Sequence, residues 1–275
     1  MATRRHMLPG FGLAMGITLA YLGLVILIPL CTIPLKTATM GWERFVDVVT
    51  SPRAVAAYRL SFGAALAAAA INAVFGLLVA WVLERYSFPG RRLVDGLVDL
   101  PFALPTAVAG IALTTLYSGS GWVGRFLEPN GLQVAYTPLG VIVALTFIGL
   151  PFVVRSVQPV LGALGPDLEE AAASLGAGRW TIFRRILLPR LLPAVTMGST
   201  LAFARGLGEY GSVIFIAGNL PLRSEITPLL IVIRLEEFDY PAATAIAFVF
   251  LVMSFAALLA INLLSWWRGK AIGQA

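Results

Sequence analysis

Long runs of apolar residues recur along the whole chain, and they decide what it can fold into. An apolar helix needs about 20 residues to cross the hydrocarbon core of a bilayer. Six segments reach or approach this length: 11–33, 58–83, 98–118, 138–157, 190–217 and 241–267. Arg205 and Glu209 are the main ionisable residues near the centre of any of them. The sequence therefore predicts an all-α integral membrane protein, with six transmembrane helices in one domain over residues 1–275.

The residue inventory excludes several other classes of protein. Only 12% of the 275 residues are charged, about half of what a soluble domain carries. The single cysteine, Cys31, and the single histidine, His6, cannot supply a disulfide, a metal cluster or a hydrolase-type triad. The pair Gly269-Lys270 lacks the glycine loop of a nucleotide-binding motif. We therefore predict no catalytic residue, no metal site and no cofactor bound by this chain.

The basic residues indicate how the chain is oriented. A net charge of +6 could suggest nucleic-acid binding, but most Lys and Arg residues flank apolar segments, which favours membrane lipid over nucleic acid as the partner. The loops at residues 84–97 and 158–189, together with both termini, carry more of them than the loops 34–57, 119–137 and 218–240. This bias predicts cytoplasmic N- and C-termini. The first apolar run is too long for a signal-peptide core, so we interpret it as an uncleaved helix, with a cleaved leader as the alternative.

The cytoplasmic loop at 158–189 carries the most informative pattern. Asp167 with Glu170 three residues later resembles a capping box, and Glu169 also suits a helix N-terminus. Alanines follow, and then Gly176 and Gly178 end the helix. An amphipathic segment comes next, so we expect a short helix, a glycine break and an amphipathic helix on the inner membrane surface. Such an element is either a connector resting on lipid headgroups or a docking element for a cytoplasmic partner.

The same loop resembles the EAA loop of ABC importer permeases. The fixed positions of that motif are present at the right spacing: Glu170-Ala171-Ala172, Gly176, Ile186, Leu188 and Pro189. The resemblance implies a coupling helix around residues 167–178 that docks on an ATP-hydrolysing subunit, with Glu170 in contact and Gly176 turning the chain. The docking residues that it implies are Asp167, Glu169, Glu170, Ala171, Ala172, Gly176, Ile186, Leu188 and Pro189.

Further motifs resemble the sulfate/thiosulfate and molybdate group of these permeases. They cover residues 99–110 and 205–211, and the stretches 213–219 and 234–241 are closer to the sulfate/thiosulfate branch. The resemblance implies the type I importer permease fold and a bacterial inner-membrane location. It also implies a homologous second permease subunit that forms a heterodimer with this chain. Two cytoplasmic ATPase subunits would bind ATP and Mg, and a periplasmic binding protein would deliver sulfate or thiosulfate for import by alternating access.

Five residues inside the predicted bundle are candidates for the solute pathway. Arg205 and Glu209 stand four apart on the predicted fifth helix, hence on one face. A charge in the bilayer interior costs at least about 2.5–3.5 kcal/mol on insertion scales, so the two form either a packing ion pair or a pathway-lining pair. Pro101 and Pro105, with the adjacent Thr106, open the third helix either as a simple kink or as irregular backbone beside a cavity.

Three alternatives to a sulfate or thiosulfate importer remain from the sequence. The substrate of an importer of this kind could be molybdate, tungstate or a related oxyanion. A secondary transporter driven by an ion gradient also carries buried charges, although the EAA pattern argues against it. An intramembrane enzyme lacks support because no zinc motif or paired active-site carboxylates occur in the sequence.

Overall fold

A computed structural model describes residues 11–165 and 167–271, and within these ranges the chain forms helices and turns without a strand. Apolar composition and the need to satisfy every backbone group in lipid both favour helices. In chain order the helices are α1 (Phe11–Thr37), α2 (Trp42–Val49), α3 (Pro52–Arg85), α4 (Arg91–Val98), α5 (Leu100–Ala103), α6 (Thr106–Tyr117), α7 (Gly124–Leu127), α8 (Pro138–Ala163), α9 (Asp167–Ser174), α10 (Arg179–Leu207), α11 (Val213–Ile216), α12 (Thr227–Glu236) and α13 (Tyr240–Ala271).

Five helices of the described chain are long and apolar enough to cross a membrane: α1, α3, α8, α10 and α13. Four of the predicted spans, 11–33, 58–83, 138–157 and 241–267, lie within α1, α3, α8 and α13. Helix α6 is apolar but has only 12 residues, fewer than a single helical crossing requires. The described residues therefore contain five helices that are long and apolar enough to cross a membrane and one shorter apolar helix, as a multi-pass membrane protein requires.

The continuous third helix predicted over 98–118 is not present, and this corrects the sequence interpretation. Helix α5 ends at Ala103, and Leu104 adopts an extended conformation with φ −82° and ψ 134°. Proline clashes with a helical conformation in the residue before it, and it lacks a backbone N–H. Pro105 therefore interrupts the helix at Leu104, and a new helix, α6, begins at Thr106.

The fifth span is also displaced from its predicted bounds of 190–217. Helix α10 begins at Arg179, so the expected separate amphipathic helix is the first part of a membrane span. A π turn at Phe183–Leu187 keeps the helix continuous just before Pro189. Such a turn widens the helix where the proline ring would otherwise meet the preceding carbonyl. The span ends at Leu207, and α11 is a separate short helix.

Helices α3, α8 and α10 pack tightly together and form the core. A Cβ at Gly76 of α3 would lie 2.7 Å from Val153 Cβ, and one at Gly198 of α10 would lie 2.7 Å from Val153 Cα. A side chain at Gly149 would collide with the amide of Asn72, which is fully buried. Small residues allow this close approach between helices in a membrane. Gly149 of α8 meets Asn72 of α3, and Val153, one turn later, meets Gly76, so α3 and α8 are parallel. Gly149 also lies near Ala202 of α10 and Val153 near Gly198, so α10 is antiparallel to both.

The bundle consequently has two distinct ends. The C-terminal ends of α3 and α8, helices α4 and α9, and the start of α10 lie at one end, which we call the basic end. The segments 38–53 and 208–239 lie at the opposite end. Helix α1 stands at the edge of the bundle, where its second half contacts α13, and none of the residues Phe11–Leu27 is buried within this chain.

Candidate docking helix and candidate pathway residues

Helix α9 is a short helix at the basic end. Asp167, Glu169 and Glu170 lie in its first turn, where carboxylates suit the partial positive charge of the helix N-terminus. At its other end the N–H of Gly176 donates to Ala173 O (2.9 Å) and that of Ala177 to Ala172 O (3.0 Å). These two bonds form a Schellman motif, and they require Gly176 to adopt φ +81°. The glycine therefore ends α9 by backbone geometry.

The two faces of α9 differ in what they contact. Ala172 is buried in a cluster that includes Leu83 of α3 and Leu161 of α8. Glu169 turns toward the bundle, where its Oε1 lies 2.8 Å from Nη2 of Arg85. The outer face is exposed, and Leu175 at its end has 87% of its surface accessible. On this outer face and at the end of α9 lie Asp167, Glu170, Ala171 and Gly176.

The remaining docking candidates lie elsewhere. Ile186, Leu188 and Pro189 are half-buried in the first part of α10. Ile186 packs against the same cluster as Ala172. These three residues therefore lie in the first part of α10, from Arg179 to Pro189, which we call the stem. The exposed surface belongs to α9 itself.

Helix α4 is fastened to α8 by an arginine that the sequence interpretation did not single out. Arg155 donates from Nε and Nη2 to both carboxylate oxygens of Asp99 (2.8 and 2.6 Å), and from Nη1 to Asp95 Oδ1 (2.7 Å). Gln158 also donates to Asp95 (3.1 Å). The hydrogen bond from Arg155, followed by that from Gln158, holds the pKa of Asp95 below its ordinary value. The spacing of Asp95 and Asp99, four apart, was the available signal.

The pathway candidates Arg205 and Glu209 form an ion pair, but not along one helix. Arg205 lies in the last turn of α10, and Glu209 lies in the turn that follows, with Nη1 and Oε2 2.6 Å apart. The backbone N–H and the hydroxyl of Ser212 both donate to Glu209 Oε1 at 3.0 Å. The pair therefore lies where α10 ends, level with Ala65 of α3 and Leu145 of α8, which corrects its predicted place on a helix that continues to 217.

Of the candidates Pro101, Pro105 and Thr106, only some lie near the Arg205–Glu209 ion pair. A side chain at Gly211 would collide with Thr106 Oγ1, and one at Gly110 would collide with the backbone of Ser212. Thr106, immediately after Pro105, therefore packs against the turn that follows Arg205. Pro101 lies in α5, where the neighbouring ring of Phe102 meets Phe152 of α8 edge to face at 5.1 Å. The structure thus brings Thr106 to the turn at 209–212 and places Pro101 against α8.

A groove of about 760 Å³ runs between α10 and α13. Its polar lining includes Thr196, Thr200, Asn262 and Ser265. The three hydroxyls donate to carbonyls of their own helices at 2.7–2.8 Å, so they are already satisfied. Within residues 11–165 and 167–271, no group of three or more His, Cys, Asp or Glu side chains could hold a metal ion.

Residues 72–267 match the family described as binding-protein-dependent transport system inner membrane component. The chain belongs to this family of membrane-embedded transport subunits. It is 52% identical over 268 residues to the sulfate transport system permease protein CysT of Salmonella typhimurium, with 98% of this chain and 97% of that protein covered. It is 50% identical to the protein of the same name from Escherichia coli, with the same coverage. The resemblance that the sequence motifs indicated is confirmed.

Solved structures show the same fold. The chain matches a bacterial ABC transporter that imports the acidic polysaccharide alginate with a TM-score of 0.76, at 19% identity and covering 93% of this chain and 95% of that one. It matches the MetNI methionine ABC transporter with a TM-score of 0.58, at 19% identity and covering 85% and 99%. The fold is therefore that of type I ABC importer permeases, as predicted from the sequence.

Proposed function

We propose that this chain is the membrane-spanning subunit of an ATP-driven importer that moves sulfate or thiosulfate from the periplasm to the cytoplasm. Membership of the family and about 50% identity over nearly the whole chain to CysT permeases support this proposal. Sulfate is strongly hydrated, and transfer of such an ion into lipid is prohibitive. A protein pathway that opens alternately to the two sides solves this problem without exposing the ion to hydrocarbon.

The observation that carries the ATP-driven mechanism is the exposed face of α9. Glu170 and Ala171 face away from the bundle, while Ala172 and Glu169 anchor the helix to it. A short, rigid helix held in this way can fit a groove on a partner and pass on a rigid-body movement. In this proposal ATP and Mg are bound by the partner ATPase, and the basic end of the bundle faces the cytoplasm, with both termini on that side.

The complete transporter would contain three further kinds of subunit. A homologous second permease would pair with this chain, two ATPases would dock on the two coupling helices, and a periplasmic binding protein would deliver the anion. A related alginate ABC transporter has been solved in complex with its alginate-bound periplasmic protein, which supports a receptor-fed importer. The unburied surface of α1 and the exposed apolar residues of the spans would contact lipid or the second permease.

The turn at 205–212 is the proposed pathway element of this chain. The Arg205 side chain is partly accessible, while Glu209 is buried beside it and offsets its charge. An anion would be attracted to this position without being held tightly, which transport requires because the ion must leave again. Thr106 and the break at Pro105 border the same turn, and Pro101, in the first turn of α5, is the remaining pathway candidate.

Uptake measurements with the complete transporter test this proposal. Radiolabelled sulfate should enter proteoliposomes that contain this chain, the second permease, the ATPase and the binding protein, and entry should require ATP. Competition with molybdate and tungstate identifies the preferred oxyanion, and a preference for either replaces sulfate as the substrate. Uptake that persists without ATP and collapses with the proton gradient would show a secondary transporter instead.

A charge reversal on α9 tests the docking role separately. Glu170→Lys should abolish uptake and the co-purification of the ATPase, while membrane insertion stays normal. Glu43→Lys, the same change at an exposed glutamate of α2, is the control and should retain both. In a Cys31→Ser background, the thiol of a Ser174→Cys variant should react with membrane-impermeant thiol reagents only when they are added from the cytoplasmic side. Labelling from the periplasm would rule out the docking role.

A further inference from the structure

Arg85, the last residue of α3, contacts three different parts of the basic end. Its Nη2 donates to Leu164 O at 2.9 Å, beyond the C-terminus of α8, and lies 2.8 Å from Oε1 of Glu169 in α9. Its Cζ lies 5.8 Å from the centre of the Trp81 ring, within the range of a cation–π interaction. One guanidinium thus joins the end of α3, the end of α8 and the docking helix.

An apolar contact beside Arg85 joins the same elements. The ring of Trp81, one turn before Arg85, meets Phe183 of α10 edge to face at 5.6 Å. Ala172 of α9 and Ile182 of α10 are buried in one cluster with Ala80 and Leu83 of α3. The docking helix and the stem that follows it therefore both rest on the last two turns of α3.

The two adjacent glutamates of α9 have different surroundings. Glu170 is exposed and makes no polar contact within the described chain, whereas Glu169 turns inward to Arg85. Successive residues of an α-helix point about 100° apart, so one short helix can present one carboxylate to a partner and the other to its own bundle. Glycines at 165, 176 and 178 flank α9, and the covalent connections alone would therefore hold it loosely.

We propose that Arg85 is a positioning residue that fixes the docking helix to α3, so that a displacement of α9 by the ATPase is passed to the core. This inference rests on the proposed function, because it assumes that α9 is the element that the ATPase moves. The close packing of α3 against α8 and α10 carries the displacement onward through Gly76, Val153 and Gly198. Glu169 is the partner through which Arg85 acts, and Glu170 is left to the ATPase.

The number of sulfate ions imported per ATP hydrolysed measures this role in the complete transporter. Arg85→Gln should retain the ATPase on purification and retain ATP hydrolysis, and Glu169→Gln tests the other partner of the same contact. The ratio of import to hydrolysis should fall at least about fivefold, as expected for the loss of a partly buried charged contact. Arg92→Gln is the matched control, since Arg92 lies at the same end and is exposed, and its ratio should equal that of the wild type.

An exchange of charges separates the ion pair from a general need for these residues. Arg85→Glu and Glu169→Arg should each uncouple import from hydrolysis, and the double variant should recover a ratio within about twofold of the wild type. Spin labels at Ser174 and at Tyr86, in a Cys31→Ser background, should give one narrow distance distribution. Arg85→Gln should broaden that distribution.

The possible failures are distinguishable. Wild-type ratios in Arg85→Gln and Glu169→Gln would overturn the role of Arg85, and so would a double exchange no better than the single variants. Loss of the ATPase on purification of these variants would show that Arg85 is needed for docking, and the proposed positioning role would then be wrong. Normal assembly and uptake in Glu170→Lys would instead refute the proposed docking of α9, whatever the ratio in the Arg85 variants.

Discussion

Arg205 and Glu209 lie 2.6 Å apart at the end of α10, and they differ sharply in exposure, with 38% of the arginine side chain accessible but only 2% of the glutamate. The carboxylate is fixed by Ser212 on its other oxygen, so it is the static member of the pair. The arginine side chain is only partly buried. In the proposed pathway, an anion would approach the arginine without displacing the glutamate.

Substitutions at Glu209 should separate its hydrogen bonds from its charge. Glu209→Ala leaves the two donors of Ser212 and the Arg205 guanidinium without their acceptor, and we expect a loss of about 1–3 kcal/mol in unfolding free energy. Glu209→Gln retains an acceptor for Ser212 and should lose less. Thermal unfolding in detergent measures both, with Glu236→Ala at an exposed position of α12 as the control. Equal stability of Glu209→Ala and the control would contradict a structural role for the carboxylate.

Gly176 should be sensitive to substitution for a backbone reason alone. Its φ of +81° costs about 1–2 kcal/mol for a residue with a Cβ, although nothing lies within 4 Å of the position that a Cβ would occupy. We expect Gly176→Ala to impair uptake and Gly176→Asn to impair it less, because asparagine tolerates this region better. Gly176→Pro should abolish uptake while insertion stays normal.

Gly178 provides the control for this experiment. It also has open space around it, but its φ is −68°. Gly178→Ala should therefore leave uptake unchanged. Uptake reduced equally by Gly176→Ala and Gly178→Ala would point to flexibility of the linker, rather than the left-handed turn, as the property that matters.

Substitution of two glycines of α3 by alanine should affect the thermal unfolding temperature differently. A Cβ at Gly76 would lie 2.7 Å from Val153 Cβ, whereas Gly63 has nothing within 4 Å. Forcing an extra carbon into a packed interface costs about 1–3 kcal/mol, so Gly76→Ala should lower the thermal unfolding temperature in detergent. Gly63→Ala should leave it unchanged or raise it. Tolerance of alanine at Gly76 would show that α3 and α8 can separate easily at this level.

The attachment of α4 to α8 should weaken only in acid. Because Arg155 and Gln158 lower the pKa of Asp95 in the folded protein below 3.8, the stabilisation is fully present above the unfolded-state pKa and is lost as the pH falls through the folded-state pKa. The difference in unfolding temperature between the wild type and Asp95→Asn should thus be constant from pH 7 to about pH 5 and shrink below about pH 4. A difference that grows on acidification would contradict this sign.

The sequence predicted α9 well because its signals are local. The acidic first turn acts through its charge at the helix N-terminus, and Gly176 acts through backbone hydrogen bonds to the last turn, so both signals lie in the helix and its immediate neighbours. The bounds of the third and fifth spans were wrong because hydrophobicity does not show where Pro105 breaks a helix or where a π turn carries one past Pro189. The contacts of Arg85 with Glu169 and of Arg155 with Asp99 join residues dozens of positions apart, so no local pattern contains them.

The π turn at Phe183–Leu187 determines the direction in which the residues before it in α10 point around the helix axis. A π turn contains one residue more than the α-helical turn that it replaces, and one residue corresponds to about 100° of rotation around the helix axis. Deleting a single residue there would keep the helix but rotate its first turn, so that Phe183 would swing away from Trp81. The angle at which the first turn of α10 faces α3, relative to the rest of the same span, thus depends on a single inserted residue.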